Sequence, residues 1–144
     1  MNKPMPVIRS FVGAEIAPYL DAIAALRIAV FRDWPYLYDG SAAYEAQYLQ
    51  TYRDSWRSIA VLAFDGSRVI GASTGLPMID EMPEIRAAFD GHLVDIDYVF
   101  YCGESVLLAD YRGRGVGHRF FDAREAHARA LGGFRWTTFC AVQR

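Results

Sequence analysis

Three glycines at alternate positions, Gly113, Gly115 and Gly117, stand where a long apolar stretch gives way to an amphipathic one. This joint constrains the folding of the chain more than any other feature. The apolar stretch, "VDIDYVFYCGESVLL" over 94–108, is aromatic and β-branched and reads as a strand, centrally placed. Beyond the glycines Val116, Phe120 and Ala123, flanked by Phe121, Ala128 and Leu131, form the apolar side of a helix that Gly132-Gly133 stops. Residues 134–142 are β-rich again. Strand, helix and strand in that order imply one parallel crossover.

The preceding chain adds the other layers. Residues 7–12 read as a first strand, and one amphipathic helix is expected from Glu15 to Phe31, on the spacing of Ile16, Leu20, Ile23, Leu26 and Val30. "FRDWPYLYDG" breaks that pattern and reads as a connecting loop. Ser41 is placed to cap a second helix, with Glu45 near its start and Tyr44, Tyr48 and Tyr52 as a packing face. Residues 58–64 and 68–76 are two strands around Asp65-Gly66, a hairpin signal. Residues 81–92 are charged and irregular. The expectation is an α/β (α+β) domain, one unit over 1–144, with a mixed central sheet flanked by helices.

Composition narrows the function. With 53% apolar residues and 144 residues in all, the chain can bury a core without metal or disulfides. A formal charge of −2 offers no electrostatic case for nucleic acid. Its two cysteines, Cys102 and Cys140, form no disulfide framework and read as structural, in a reducing compartment. No signal peptide or bilayer-length apolar run is visible, so a cytoplasmic protein without membrane partners is expected. His92, His118 and His127 lack ligand spacing, and no metal is expected.

A strand end, glycines and a helix start together make an anion cradle: unsatisfied N–H groups and the positive helix end converge there, and residues without Cβ let an anion approach. Arg112 and Arg114 can add charge-assisted contacts to phosphate oxygens. The plainer reading is a tight glycine-rich turn. A P-loop would need Gly-Lys-Ser/Thr, and a dinucleotide fingerprint starting at Gly113 would need glycine where His118 stands.

The pattern Arg112-x-x-Gly115-x-Gly117, preceded by "VLLADY" and followed by an amphipathic helix, resembles the coenzyme A pyrophosphate loop of the GNAT N-acetyltransferase superfamily. The order of elements resembles that family across nearly the whole chain. The resemblance implies acetyl-CoA as acyl donor, transferred by direct attack of an amine in a ternary complex. It places the backbone of Val106, Leu107 and Leu108 against the pantetheine arm and acyl carbonyl, and Gly113, Arg114, Gly115, Val116 and Gly117, with Arg112, around the pyrophosphate. The acceptor would be a small-molecule or peptide amine.

Glu104 lies in the apolar strand just upstream and is the candidate general base, its apolar surroundings expected to raise its pKa. The alternative is a strand-end carboxylate paired with an arginine or facing solvent. Arg32, Asp33, Trp34, Tyr36 and Tyr38 are candidates for acceptor contact, against a reading of Trp34 and Tyr36 as core caps. Asp95 and Asp97 read as solvated acids or as groups facing a cationic acceptor. The family's further C-terminal helix and β-hairpin, with a tyrosine that protonates the leaving thiolate, find no counterpart in this sequence. The last strand is then expected to keep an open edge that favours a homodimer. The competing function is a non-catalytic acyl-CoA-binding sensor or assembly module.

Overall fold

The computed structural model describes residues 4–33, 37, 39–91 and 94–140. Five strands form one mixed sheet in sequence order: β1 (Val7–Val12), β2 (Ile59–Asp65), β3 (Arg68–Pro77), β4 (Val99–Leu107) and β5 (Trp136–Phe139). The first four pair antiparallel, and β4 and β5 pair parallel. Helices α1 (Leu20–Phe31) and α2 (Ala42–Asp54) connect β1 to β2. A short α3 (Pro83–Arg86) follows β3, and α4 (Val116–Leu131) makes the crossover from β4 to β5.

The sheet has an apolar layer on each face. On one, Ile23, Leu26, Tyr48, Leu49 and Tyr52 of α1 and α2 pack on Leu62, Ala72, Tyr101 and Val106. On the other, Val116, Phe120 and Ala128 of α4 pack on Val61, Ala63, Ile70, Phe100 and Cys102. β2 is buried along nearly its whole length, as a strand covered on both faces must be. No helix among the described residues is long and apolar enough to cross a membrane.

Several expectations need correction. The helix expected from Glu15 begins as 3-10 turns over Gly13–Tyr19, because Pro18 lies inside that segment, and becomes α-helical only at Leu20. The long strand begins at Val99, after a 3-10 turn over Ile96–Tyr98 whose N-cap Asp95 accepts from the Asp97 amide at 2.9 Å. Cys102 is buried, whereas Cys140 is exposed. The Ser41 cap is present, its Oγ accepting from the Tyr44 amide at 3.1 Å.

One irregularity positions everything that follows. Ser73 pairs with Ser105 and Gly75 with Cys102, so Gly103 and Glu104 together face the single residue Thr74. This β-bulge changes the phase of β4. Side chains alternate along a regular strand, and Tyr101 and Glu104 would then point to opposite faces. With the extra residue, Tyr101, Glu104 and Val106 all meet the α1–α2 side.

Candidate active site

β5 accompanies only the first part of β4. Their pairing runs from Val99↔Trp136 to Cys102↔Phe139, while β4 stays paired to β3 as far as Leu107. From Gly103 onward the β5-side edge of β4 has no strand partner among the described residues.

At the end of β4 the glycine turn takes the conformation its residues allow. Gly113 and Gly115 have φ of 79°, a left-handed backbone that side chains with a Cβ rarely adopt. Gly115 is the N-cap of α4 and offers no side chain to the N–H groups of the first turn. A cavity of about 450 Å³ opens there, lined by Leu107, Arg112, Gly113, Gly115, Val116, Gly117, His118 and Phe121. A Cβ at Gly113, Gly115 or Gly117 would meet no atom within 4 Å, so the turn borders free space. Most residues named for the cofactor loop therefore share one concave surface, which His118 and Phe121 complete.

The arginines are partly committed. Arg112 Nε donates to the Leu107 carbonyl at 3.0 Å, and Arg114 Nη1 to the Pro4 carbonyl at 3.0 Å. The Val106 side chain belongs to the core under α1 and α2, and its backbone is paired with Ala72 of β3. Leu108 donates its amide to the Ile70 carbonyl at 3.0 Å.

About 10 Å back along the strand, by the rise per residue, stands Glu104. Its side chain is only 4% exposed, and its surroundings are polar rather than apolar. Oε2 accepts from Tyr48 at 2.8 Å and Thr74 at 3.0 Å and pairs with Arg27 Nη1 at 3.0 Å. Oε1 is buried without a hydrogen-bond partner among the described residues. Arg27 also donates through Nε to Glu45 at 2.5 Å, with Glu45 fully buried. Burial alone would lower the Arg27 pKa, but Glu104, Tyr48 and Glu45 outweigh it and hold the guanidinium charged. The Tyr48 hydroxyl touches that of Tyr52 at 3.2 Å, and the Tyr52 hydroxyl is hydrogen-bonded to Glu81 Oε2 at 3.0 Å. Glu81 is 3% exposed, and its Oε1 accepts from the Met82 amide at 2.9 Å. Burial raises the Glu81 carboxyl above its ordinary range despite these two hydrogen bonds.

On the opposite face Arg124 is fully buried and braces the bulge. Nη1 reaches the carbonyls of Thr74 (3.1 Å), Gly103 (3.5 Å) and Glu104 (3.4 Å), and Nη2 donates to Ser105 Oγ at 2.7 Å.

Sequence reasoning named only Glu104 from this network. Arg27, Glu45, Thr74, Glu81 and Arg124 were missed, and Tyr48 and Tyr52 were read as packing alone. Two signals were present. Arg27 interrupts the apolar face of Ile23 and Val30, and Arg124 stands between Phe120 and Ala128 at four-residue spacing. Of the acceptor candidates, Arg32 and Asp33 follow the end of α1 as exposed residues, and Trp34, Tyr36 and Tyr38 lie outside the described residues. Among the described residues no three His, Cys, Asp or Glu side chains are grouped to hold a metal ion.

No protein-family model and no curated protein sequence matches the chain. Solved structures do. The chain is similar to an aminoglycoside acetyltransferase, meta-AAC0020, from an uncultured soil metagenomic sample, in complex with trehalose (TM-score 0.63, 12% identity, covering 96% of this chain and 79% of that one). It is also similar to AAC(6')-Iy in complex with a bisubstrate analog, CoA-S-monomethyl-acetylneamine (0.62, 18%, 96% and 81%). A transcriptional regulator from Bacillus halodurans C-125 matches as well (0.63, 10%, 96% and 83%). The mixed sheet and the β4–α4–β5 crossover give this chain the fold of the GNAT N-acetyltransferases.

Proposed function

We propose that the chain is an N-acetyltransferase that moves an acetyl (acyl) group from acetyl-CoA to a primary amine by direct attack in a ternary complex. One observation carries this reading: a glycine turn bordering a 450 Å³ cavity ends the same strand that holds a buried carboxylate with one unclaimed oxygen. The residues suit the cofactor. Gly113, Gly115 and Gly117 leave room for a pyrophosphate beside the free N–H groups of α4, Arg112 and Arg114 add positive charge, and the backbone of Val106–Leu108 borders the arm. Acetyl-CoA supplies an acyl group activated as a thioester.

Glu104 is the base. Arg27, Tyr48 and Thr74 fix Oε2 and leave Oε1 to take the amine proton, directly or through water. Glu45 and Glu104 share the single Arg27 guanidinium on this side of the sheet, a balance that favours a cationic amine as acceptor.

The test is isothermal titration of acetyl-CoA into the chain and into a Gly115→Asp/Gly117→Asp variant, followed by an amine screen. Saturable binding lost in the variant and turnover with an amine support the reading. Binding that survives the two carboxylates refutes the loop assignment, and saturable binding without turnover of any amine favours the acyl-CoA-binding module.

A further inference from the structure

A count of hydrogens along the buried oxygens leads further. From Glu104 Oε2 the contacts run to the Tyr48 hydroxyl (2.8 Å), the Tyr52 hydroxyl (3.2 Å) and Glu81 Oε2 (3.0 Å). Three contacts in a row need three hydrogens. Burial, foremost, holds both phenols well above their usual pKa, so each keeps its single proton and contributes one hydrogen. If both carboxyls were ionised, Tyr48 would donate to Glu104 and Tyr52 to Glu81. The Tyr48–Tyr52 contact would then set lone pair against lone pair among buried groups, where an unmade hydrogen bond is costly. One more proton removes the conflict.

The position of that proton follows from what touches each end. Glu104 Oε2 is in contact with Arg27 and accepts from Thr74. Glu81 forms no ion pair among the described residues and meets only Tyr52 and the Met82 amide. The other titratable groups around the chain leave this asymmetry intact. Glu45 is taken by Arg27, Asp80 accepts from Ser55 and Arg57, Tyr101 is kept protonated by burial, and Arg124 reaches Glu104 only through its backbone. The Arg27 cation therefore favours the carboxylate at Glu104 and leaves the neutral acid at Glu81.

We infer that Glu81 is protonated in the resting protein and directs its O–H through Tyr52 and Tyr48 onto Glu104 Oε2, keeping Glu104 the ionised partner with Oε1 free. Glu81 is thus a positioning residue for the base, an assignment that rests on Glu104 having that role. Gly103 makes the arrangement possible. A Cβ there would stand 2.6 Å from the Tyr52 hydroxyl and 3.2 Å from that of Tyr48.

The deciding experiment is infrared spectroscopy of the whole chain in H2O and D2O, read at the C=O stretch of a protonated carboxyl. At neutral pH the wild type should show one such band. Glu81→Gln should abolish it, and Tyr52→Phe, which removes the hydrogen-bond partner, should shift its frequency. A wild-type spectrum without a protonated carboxyl, or a band that Glu81→Gln leaves in place, overturns the inference. This readout needs no turnover, so failure to acetylate any amine would count against the acetyltransferase reading and not against the shared proton. Where an amine is turned over, kinetics add a second decision. A glutamine side chain donates as the protonated acid does, so Glu81→Gln should keep kcat and lose the wild-type decline at high pH. Glu81→Leu should lower kcat about tenfold or more at unchanged KM for acetyl-CoA. Equal losses in both variants would mark Glu81 as merely structural.

Discussion

Glu104 presents one satisfied oxygen and one bare oxygen, and the division predicts what its amide should do. Glu104→Gln keeps the shape and offers the same neighbours an oxygen, but it cannot take a proton. Turnover should fall by about 10²–10⁴-fold while acetyl-CoA binding, measured calorimetrically, stays within error. Gly103 makes the opposite kind of prediction, one of space. Its Cβ would press on Thr74 Oγ1 and the two tyrosine hydroxyls, groups fixed by their own hydrogen bonds. Gly103→Ala should lower stability by about 1–3 kcal/mol in denaturant titration, the usual effect of overpacking.

At the scale of elements the bulge in β4 is the governing feature, and Arg124 is what braces it. Replacing that guanidinium with an apolar side chain leaves the carbonyls of Thr74, Gly103 and Glu104 without their shared donor in a buried place. Arg124→Leu should lose about 2–4 kcal/mol in the same titration, since each stranded acceptor costs about 1–3 kcal/mol before relaxation. The bulge also marks where sequence reading ends. β1, the hairpin, α2 with its Ser41 cap, α4 and the glycine turn were legible, because local periodicity, caps and breakers place them. The face to which Glu104 points was not. A strand's phase after an inserted residue depends on its partner's register, here the pairing of Ser73 and Gly75 with Ser105 and Cys102, which lies about thirty residues away in sequence. Only the glycine in "YCGES" hinted at it. Arg27, Glu45 and Glu81 were hidden for a related reason: each looks like an ordinary charged residue until three elements bring them together around one tyrosine pair.

For the whole molecule, the buried carboxyls connect pH to stability. The Glu81 pKa is raised in the folded state, chiefly by burial, and returns to its ordinary value on unfolding. The folded chain therefore binds more protons between those two values, and this contribution to stability is complete below the unfolded pKa and is lost as pH rises through the folded one. Thermal unfolding followed upward from the ordinary carboxylate range should show the wild type losing stability with rising pH, and Glu81→Gln should remove that component of the slope. A slope unchanged by the substitution would assign it elsewhere.

The shortness of β5 beside β4 also fixes how the backbone exchanges with solvent. Beyond Cys102 the strand is paired, among the described residues, along its β3 side alone. Its amides turn alternately toward β3 and toward the opening, so deuterium uptake along Gly103–Leu107 should alternate between slow and fast positions. A ligand that lies in the opening and bonds to the strand would slow only the fast set. Amide exchange would then report, residue by residue, how far along β4 such a ligand reaches.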